Sequence, residues 1–340
     1  MNTEMIDLLI HYPLTDNHIN LLKEISDRVR ISFFPESKFE EIPPDVKSQA
    51  EVLLTRRTVP QPEEMPNLRW IQYALAGTDF IKGSSLLERD SFLVTTLSGA
   101  VAGKVAEYAV MALLAAGHKL PLTAAYQSKK IWPPDRWELL KAKELRGSTV
   151  GLLGYGSIAR EIARILQPFN VEILATKKNL MKLEDEGYIP EGLGDPQGVL
   201  FKRLYPPEAT RSMLKLCDFV VVCLPLTDAT TGAVGKKELA AMKPTAYLVA
   251  LGRGGQVDEN ALAEALREGR IAGAVLDVFE NEPLPPESPL WEAPNLAITP
   301  HIAGNTSRYD ELVYELFAAN LDRYLKGEPL FNPYEPDRGY

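Results

Sequence analysis

The chain is poor in cysteine and histidine. Its two cysteines, Cys217 and Cys223, stand six residues apart at either end of one apolar run. On a strand that spacing places them badly for a disulfide, and they are expected to be core thiols of a reducing compartment. Only four histidines are present and none lies near the cysteine pair, so the pair is not expected to hold a metal and no metal site is assigned. Long apolar runs are missing too. No stretch approaches the roughly 20 apolar residues of a membrane span, and the N-terminus shows no basic-then-apolar leader. A cytoplasmic protein with no membrane partner is expected. An excess of positive charge is also absent. With 37 basic against 46 acidic residues and a formal charge of -9, nucleic acid is not expected as a partner, although a local basic pocket remains open to a phosphate.

What is present is the balance of a globular chain, 45% apolar and 24% charged, which rules against disorder. A length of 340 residues exceeds one ordinary core, so two domains are predicted. Over the first hundred residues, short apolar runs (Ile6 to His11, Val29 to Phe34, Glu51 to Thr55, Trp70 to Leu75, Phe92 to Thr96) alternate with polar, helix-like stretches such as Asp16 to Arg28. A second series runs from Ser148 to Pro300 with six predicted strands: Thr149 to Leu153, Val171 to Thr176, Phe219 to Leu224, Ala246 to Leu251, Gly273 to Phe279 and Leu296 to Thr299. Strand-helix alternation predicts an α/β fold of two Rossmann-like or flavodoxin-like domains, with parallel sheets and helices on both faces. Between the two series, Val105 to Ala125 reads as one helix, apolar nearly all round. Such a helix must be buried, against another domain or another subunit. Asn179 to Pro207, rich in Gly and Pro, reads as an elaborated surface loop. An amphipathic helix is predicted from about Ser307 to Leu325.

Thr149-Val-Gly-Leu-Leu-Gly154-Tyr-Gly156-Ser157-Ile158-Ala159 joins an apolar strand, a glycine turn and a helix. A G-x-G-x-x-G pattern alone is a weak signal, but here both flanking elements are present. Gly154 suits the tight turn, Gly156 a close approach of backbone to a pyrophosphate, and Ala159 close packing of helix on strand. Ser157 and Ile158 open the helix, whose free N–H groups and positive dipole end favour an anion. An NAD-binding unit has an acidic residue about 20 positions further on, against the ribose hydroxyls. Here the strand ends Thr176-Lys177-Lys178. A cation suits a 2'-phosphate, so NADP is favoured over NAD; solvated lysines at a strand end are the plainer alternative.

Three further segments follow apolar strands, where open α/β sheets bind ligands: Arg253-Gly254-Gly255, Asp277 to Pro283, and Thr299-Pro300-His301. Arginine's planar fork suits a carboxylate. A histidine beside a carboxylate has its charged form stabilised and can serve as a general acid. In order, G-x-G-x-x-A, L-P-L-T (Leu224 to Thr227), R-G-G-x-V-D (Arg253 to Asp258), D-V-F-E-x-E-P and T-P-H resemble the D-isomer-specific 2-hydroxyacid dehydrogenases, in particular the glyoxylate/hydroxypyruvate reductase-like members. The match includes the spacings of 29 residues from Arg253 to Glu282 and 19 more to His301.

The resemblance implies an NAD(P)-dependent enzyme acting on a small 2-oxo or 2-hydroxy acid. Arg253 would hold the substrate, His301 would be the general acid/base and Glu282, rather than Glu280, its partner. Asp277 would lie near the nicotinamide carboxamide, and Leu224 and Pro225 would pack along the cofactor. The backbone N–H groups of Ala76 and Gly77 would receive the substrate carboxylate. The substrate domain would comprise residues 1–100 and 305–340, and the cofactor domain 101–304. The regulatory domain of the long phosphoglycerate dehydrogenases is not expected, and a homodimer is. Ala250 stands where the family usually has Asn, and Lys104 where a small hydroxyl residue is frequent. Two rivals remain in view. A dinucleotide-sensing corepressor-like binding protein and a formate or phosphite dehydrogenase share the scaffold. A Tyr126-x-x-x-Lys130 pair fits short-chain dehydrogenases only downstream of the glycine turn, and here it lies upstream.

Overall fold

Successive strands are joined by connections long enough to cross a sheet, and the ladders formed by the described residues are accordingly parallel. The computed structural model describes residues 5–89 and 91–336; residues 1–4 and 337–340, the outermost of the expected substrate domain, lie outside these. The chain divides into two units, one of Met1–Val101, Glu186–Tyr188 and Thr306–Tyr340, the other of Ala102–Asp185 and Ile189–Asn305.

The first unit begins with β1 (Ile6–His11), α1 (Asp16–Ile25), β2 (Val29–Phe33), α2 (Pro44–Gln49), β3 (Val52–Thr55), β4 (Trp70–Tyr73) and β5 (Leu93–Thr95). Thr15 caps α1, its side chain accepting from the His18 N–H, while Ile19 and Leu22 are buried. That is the pattern of a capped amphipathic helix. The sheet order is β2-β1-β3-β4-β5, the flavodoxin-like winding. β3 and β4 are buried at every position, as strands covered on both faces must be.

The second unit holds α3 (Ala102–Gly117), α4 (Leu120–Ser128), α5 (Arg136–Leu139), β6 (Thr149–Leu153), α6 (Ser157–Leu166), β7 (Glu172–Thr176), β8 (Arg203–Tyr205), α7 (Thr210–Leu214), β9 (Phe219–Val222), α8 (Lys236–Ala241), β10 (Tyr247–Ala250), α9 (Glu259–Arg267), β11 (Gly273–Leu276) and β12 (Leu296–Ile298). Its sheet order is β12-β11-β10-β9-β6-β7-β8, so the winding reverses between β6 and β9, where such sheets bind ligands. Buried residues of α7, α8 and α9 share a core with Val220, Val222, Leu248, Ala250, Ala274 and Leu276. Alternation along each strand sends Val221, Val249 and Val275 to the other face, where α3 packs against α6, β10 and β11.

The chain ends in the first unit with α10 (Tyr309–Lys326). Its fully buried Asn320 donates to Gln72 Oε1 at 3.0 Å and to the Phe331 carbonyl at 3.2 Å, and accepts from the Phe331 N–H at 2.7 Å. Thr95 Oγ1, itself receiving the Trp70 indole N–H, donates to the same Gln72 oxygen. Among the described residues no helix is long and apolar enough to cross a membrane.

Three sequence expectations need correction. The second sheet has seven strands among the described residues; β8, at three residues, was too short and too polar to register. Asn179 to Pro207 is therefore not merely a surface loop before a helix. It is the crossover between parallel strands β7 and β8, and it contains Asp195, 2% exposed. The apolar helix is not continuous either. α3 ends at Gly117, Lys119 takes a left-handed conformation (φ 53), and α4 starts with Pro121 in its first turn. Proline has no N–H to continue the ladder. Ten residues of α3 are buried in the single chain, but none of α4.

Candidate active site

The glycine turn between β6 and α6 is set by its backbone. Gly154 has φ +92, open to glycine and costly for any residue with a Cβ. Its N–H donates to Thr176 Oγ1 at 2.9 Å, so buried Thr176 braces the turn from β7. A Cβ on Gly156 would meet nothing within 4 Å, which leaves the approach to the turn open. Gly156 caps α6 with no side chain, and the first-turn N–H groups, beginning at Ser157 and Ile158, have no helical acceptor. Ala159, 1% exposed, lies on the buried face of α6, which packs against α3. A glycine bend, an open approach and an uncapped helix N-terminus fit the pyrophosphate of a dinucleotide.

Just past β7, Lys177 is half-buried and Lys178 exposed. Burial, and then the nearby Arg160 guanidinium, push the Lys177 ammonium below the usual lysine range. Arg160 itself is 1% exposed. It donates to the carbonyls of Asp195 and Leu183 and pairs with Asp185 at 3.4 Å. The Asp195 carboxylate accepts from Tyr155 Oη and from the N–H groups of Val199 and Leu200. The crossover is thus anchored behind the glycine turn, a role that nothing in its composition signalled.

Beyond β10, the Arg253 N–H donates to Gln256 Oε1 at 3.1 Å and its Nη1 to the Gly252 carbonyl at 2.8 Å. Gln256, 1% exposed, donates in turn to the Leu224 carbonyl at 2.8 Å. It joins the Arg253 loop to the Leu224-Pro225 segment that follows β9. Sequence reasoning passed over Gln256, the variable position of its motif.

Beyond β11, Glu282 Oε1 accepts the Phe279 N–H at 3.0 Å, while Oε2 lies 2.8 Å from His301 Nδ1. Glu280 instead gives its backbone N–H to Glu259. Burial and the surrounding carboxylates hold Glu259 above the usual carboxylate range. Asp277 is 0% exposed, and its carboxylate accepts from Thr299 Oγ1, Ile302 N–H and Ala303 N–H at 2.6, 2.9 and 2.8 Å. Arg253, Asp277, Glu282 and His301 all belong to the second unit, at the carboxyl ends of adjacent strands β10, β11 and β12. A cavity of about 500 Å³ lined by Ala116, Pro121, Leu139 and Tyr247 lies by contrast at the amino end of β10. Ala76 and Gly77 follow β4 in the first unit, the former exposed and the latter half-buried. Their loop is held by the Ala74 N–H on the Thr55 carbonyl at 2.8 Å and by Tyr309 Oη on the Ala74 carbonyl at 2.9 Å.

The profile of the D-isomer specific 2-hydroxyacid dehydrogenase NAD-binding domain matches residues 110–303. A glyoxylate reductase of Thermofilum pendens is 36% identical over 269 residues, 77% of this chain and 74% of that protein. A D-3-phosphoglycerate dehydrogenase of Methanocaldococcus jannaschii is 30% identical over 329 residues, 95% of this chain; the chain spans only 58% of that longer relative. Among solved structures, an NADPH-dependent glyoxylate/hydroxypyruvate reductase from Sinorhizobium meliloti superposes with a TM-score of 0.71 at 28% identity, covering 97% of each chain. The chain belongs to the D-isomer specific 2-hydroxyacid dehydrogenases, NAD(P)-dependent oxidoreductases that act on CH–OH groups.

Proposed function

We propose that this protein reduces a small 2-oxo acid of the glyoxylate or hydroxypyruvate type, with His301 as general acid/base, Glu282 as its partner and Arg253 as the substrate clamp. The supporting observation is the shared carboxylate of Glu282. One oxygen is fixed by the Phe279 N–H and the other by His301 Nδ1, so the ring is held by one nitrogen and Nε2 has no partner among the described residues. A reduced dinucleotide, its pyrophosphate held at the glycine turn, would supply the hydride. Reduction leaves an alkoxide that needs a proton. His301 delivers it from Nε2 while Nδ1–H stays on Glu282, and the ring finishes neutral. Arg253 pairs its fork with the substrate carboxylate. Leu224 and Pro225 pack along the cofactor, and Asp277 keeps a lone pair on Oδ2, the oxygen with a single donor, for the nicotinamide carboxamide.

In this reading the first unit is the substrate domain and the second the cofactor domain. NADP is the favoured cofactor, because Lys177 and Lys178 offer cations where ribose hydroxyls would want an acceptor; the Sinorhizobium relative is described as NADPH-dependent. The protein works in the cytoplasm as a homodimer. The segment after α3 offers the dimer surface: Leu120, Ile131, Trp132 and Trp137 are 56%, 49%, 79% and 78% exposed. So much exposed apolar and aromatic surface in one stretch marks an interface, and an isologous pair is its commonest use. Light scattering should give twice the chain mass; a monomer mass in dilute solution would remove the dimer. The activity is tested by following NADPH and NADH oxidation with glyoxylate, hydroxypyruvate, pyruvate and bulkier 2-oxo acids. Turnover of none of them, by protein that binds NADPH, would favour a dinucleotide-sensing binding protein instead.

A further inference from the structure

Beyond β12 the chain makes an unusual turn. His301 has φ +53, a left-handed backbone that residues with a Cβ avoid and that survives only where its surroundings over-determine it. Here the surroundings are a single carboxylate. Asp277 Oδ1 accepts from Thr299 Oγ1 and from the Ile302 N–H, and Oδ2 from the Ala303 N–H. The residues on both sides of His301 are thus pinned to one fully buried group. The His301 N–H closes the turn on the Thr299 carbonyl at 3.0 Å.

The pinning extends one step further. Thr299 gives its only hydroxyl proton to Asp277, so at its second contact, 2.5 Å from Tyr108 Oη, it must accept. Tyr108 stands on α3, which packs on β10 and β11, and it is 8% exposed. Proton donation therefore runs one way, from Tyr108 through Thr299 to Asp277. Burial raises the Tyr108 phenol above its ordinary range, so the first donor keeps its proton throughout the neutral range.

We propose that Tyr108 and Thr299 are positioning residues which act through Asp277 to hold the left-handed backbone of His301, and so set where its imidazole meets Glu282. The proposal deepens the reading of His301 as general acid and rests on it. Of the three, Asp277 alone is assigned a cofactor contact; Tyr108 and Thr299 touch neither substrate nor cofactor. Their effect is on the aim of the ring.

Thr299→Val keeps the shape and removes the donor, Thr299→Ser keeps the donor, and Tyr108→Phe removes only the far end of the chain. Four quantities are measured for each: kcat and KM with glyoxylate, the dissociation constant for NADPH, and the His301 ring signal in histidine-labelled NMR spectra, assigned by its loss in His301→Ala. A misaimed catalytic group costs roughly tenfold to a hundredfold, so Thr299→Val and Tyr108→Phe should lower kcat on that scale. They should also displace the His301 signal, while NADPH affinity and glyoxylate KM stay within about twofold. Thr299→Ser should restore both kcat and the signal. If Tyr108→Phe and Thr299→Val fold and leave kcat and the signal at parental values, the proposal is overturned; if Thr299→Val fails to fold, Tyr108→Phe decides. The failure of the underlying reading looks different: His301→Ala would retain its activity, while Thr299→Val and Tyr108→Phe would still displace the ring signal.

Discussion

Gly254 lies against the backbone of Phe279 so closely that a Cβ built on it would stand 1.8 Å from the Phe279 carbonyl oxygen and 2.5 Å from the Glu280 nitrogen. No side-chain motion can relieve such a clash, since both atoms are main chain. The loop carrying Arg253 and the loop carrying Glu282 are therefore packed backbone to backbone, and glycine is what allows it. Gly254→Ala should force the two loops apart by an ångström or more. Overpacking of this kind costs roughly 1–3 kcal/mol of stability, a fold survivable for a domain of this size. Displacing the clamp from the acid should lower kcat/KM by about a hundredfold. Circular dichroism melts together with glyoxylate kinetics check this; an alanine variant with parental kcat/KM would show that the loops are not coupled.

That relationship also marks how far the sequence could be read. Strand positions were legible from apolar runs because parallel strands are buried on both faces. The glycine turn announced itself through the elements on either side of it. Arg253, Glu282 and His301 could be named because each follows an apolar strand in a recognisable motif. What could not be read was tertiary. Nothing about a tyrosine in an apolar helix says that Tyr108 meets Thr299, 191 positions away. Gln256 looked like a variable position because its two partners, the Leu224 carbonyl and the Arg253 N–H, are both backbone and carry no sequence signal. β8 was lost because a three-residue edge strand has too few residues for its alternation to show. The helix break at Lys119 was signalled by Pro121, yet the apolar run on either side outweighed it.

On the proposed reading, Lys177 governs cofactor choice. Lys177→Asp removes a cation from the neighbourhood of a 2'-phosphate and offers the ribose hydroxyls an acceptor, so NADPH should weaken and NADH improve. Because burial and Arg160 already disfavour the charged lysine, the parental preference for NADPH should also decline with rising pH before an ordinary lysine would lose its proton. An NADPH/NADH ratio of kcat/KM unchanged in Lys177→Asp would leave the lysine as a surface charge only.

The two thiols should be inert while the protein is folded. Both are unpaired, and burial pushes each up to about 12. The thiolate is the nucleophile, so near pH 8.5, where a free cysteine is about half ionised, iodoacetamide should label the denatured chain quickly and the native one hardly at all. Mass spectrometry after a timed pulse gives the answer. Rapid native labelling at Cys223 would mean that the segment between β9 and Leu224 opens.

The pairing of His301 with Glu282 makes the sharpest demand on solution behaviour. In the reductive direction His301 donates the proton, and the Glu282 carboxylate lies 2.8 Å from its Nδ1. The two side chains are 44% and 36% exposed, so water screens the attraction and its effect should be moderate. Glu282→Gln keeps the size and an oxygen for the Phe279 N–H, but it removes the charge. The proton donor then lacks its counter-charge, so the reductive kcat should fall, by less than in His301→Ala, while NADPH binding stays normal. His301→Ala should cost roughly 10²- to 10⁴-fold in kcat, the usual scale for losing a general acid. Arg253→Ala should damage KM and kcat together, because a clamp on the carboxylate acts on ground state and transition state alike. The decisive measurement is the reductive kcat of Glu282→Gln under saturating cofactor. If it stays at the parental value while NADPH binding is normal, the Glu282 charge does not support the acid, and its hydrogen bond to His301 does no more than orient the ring.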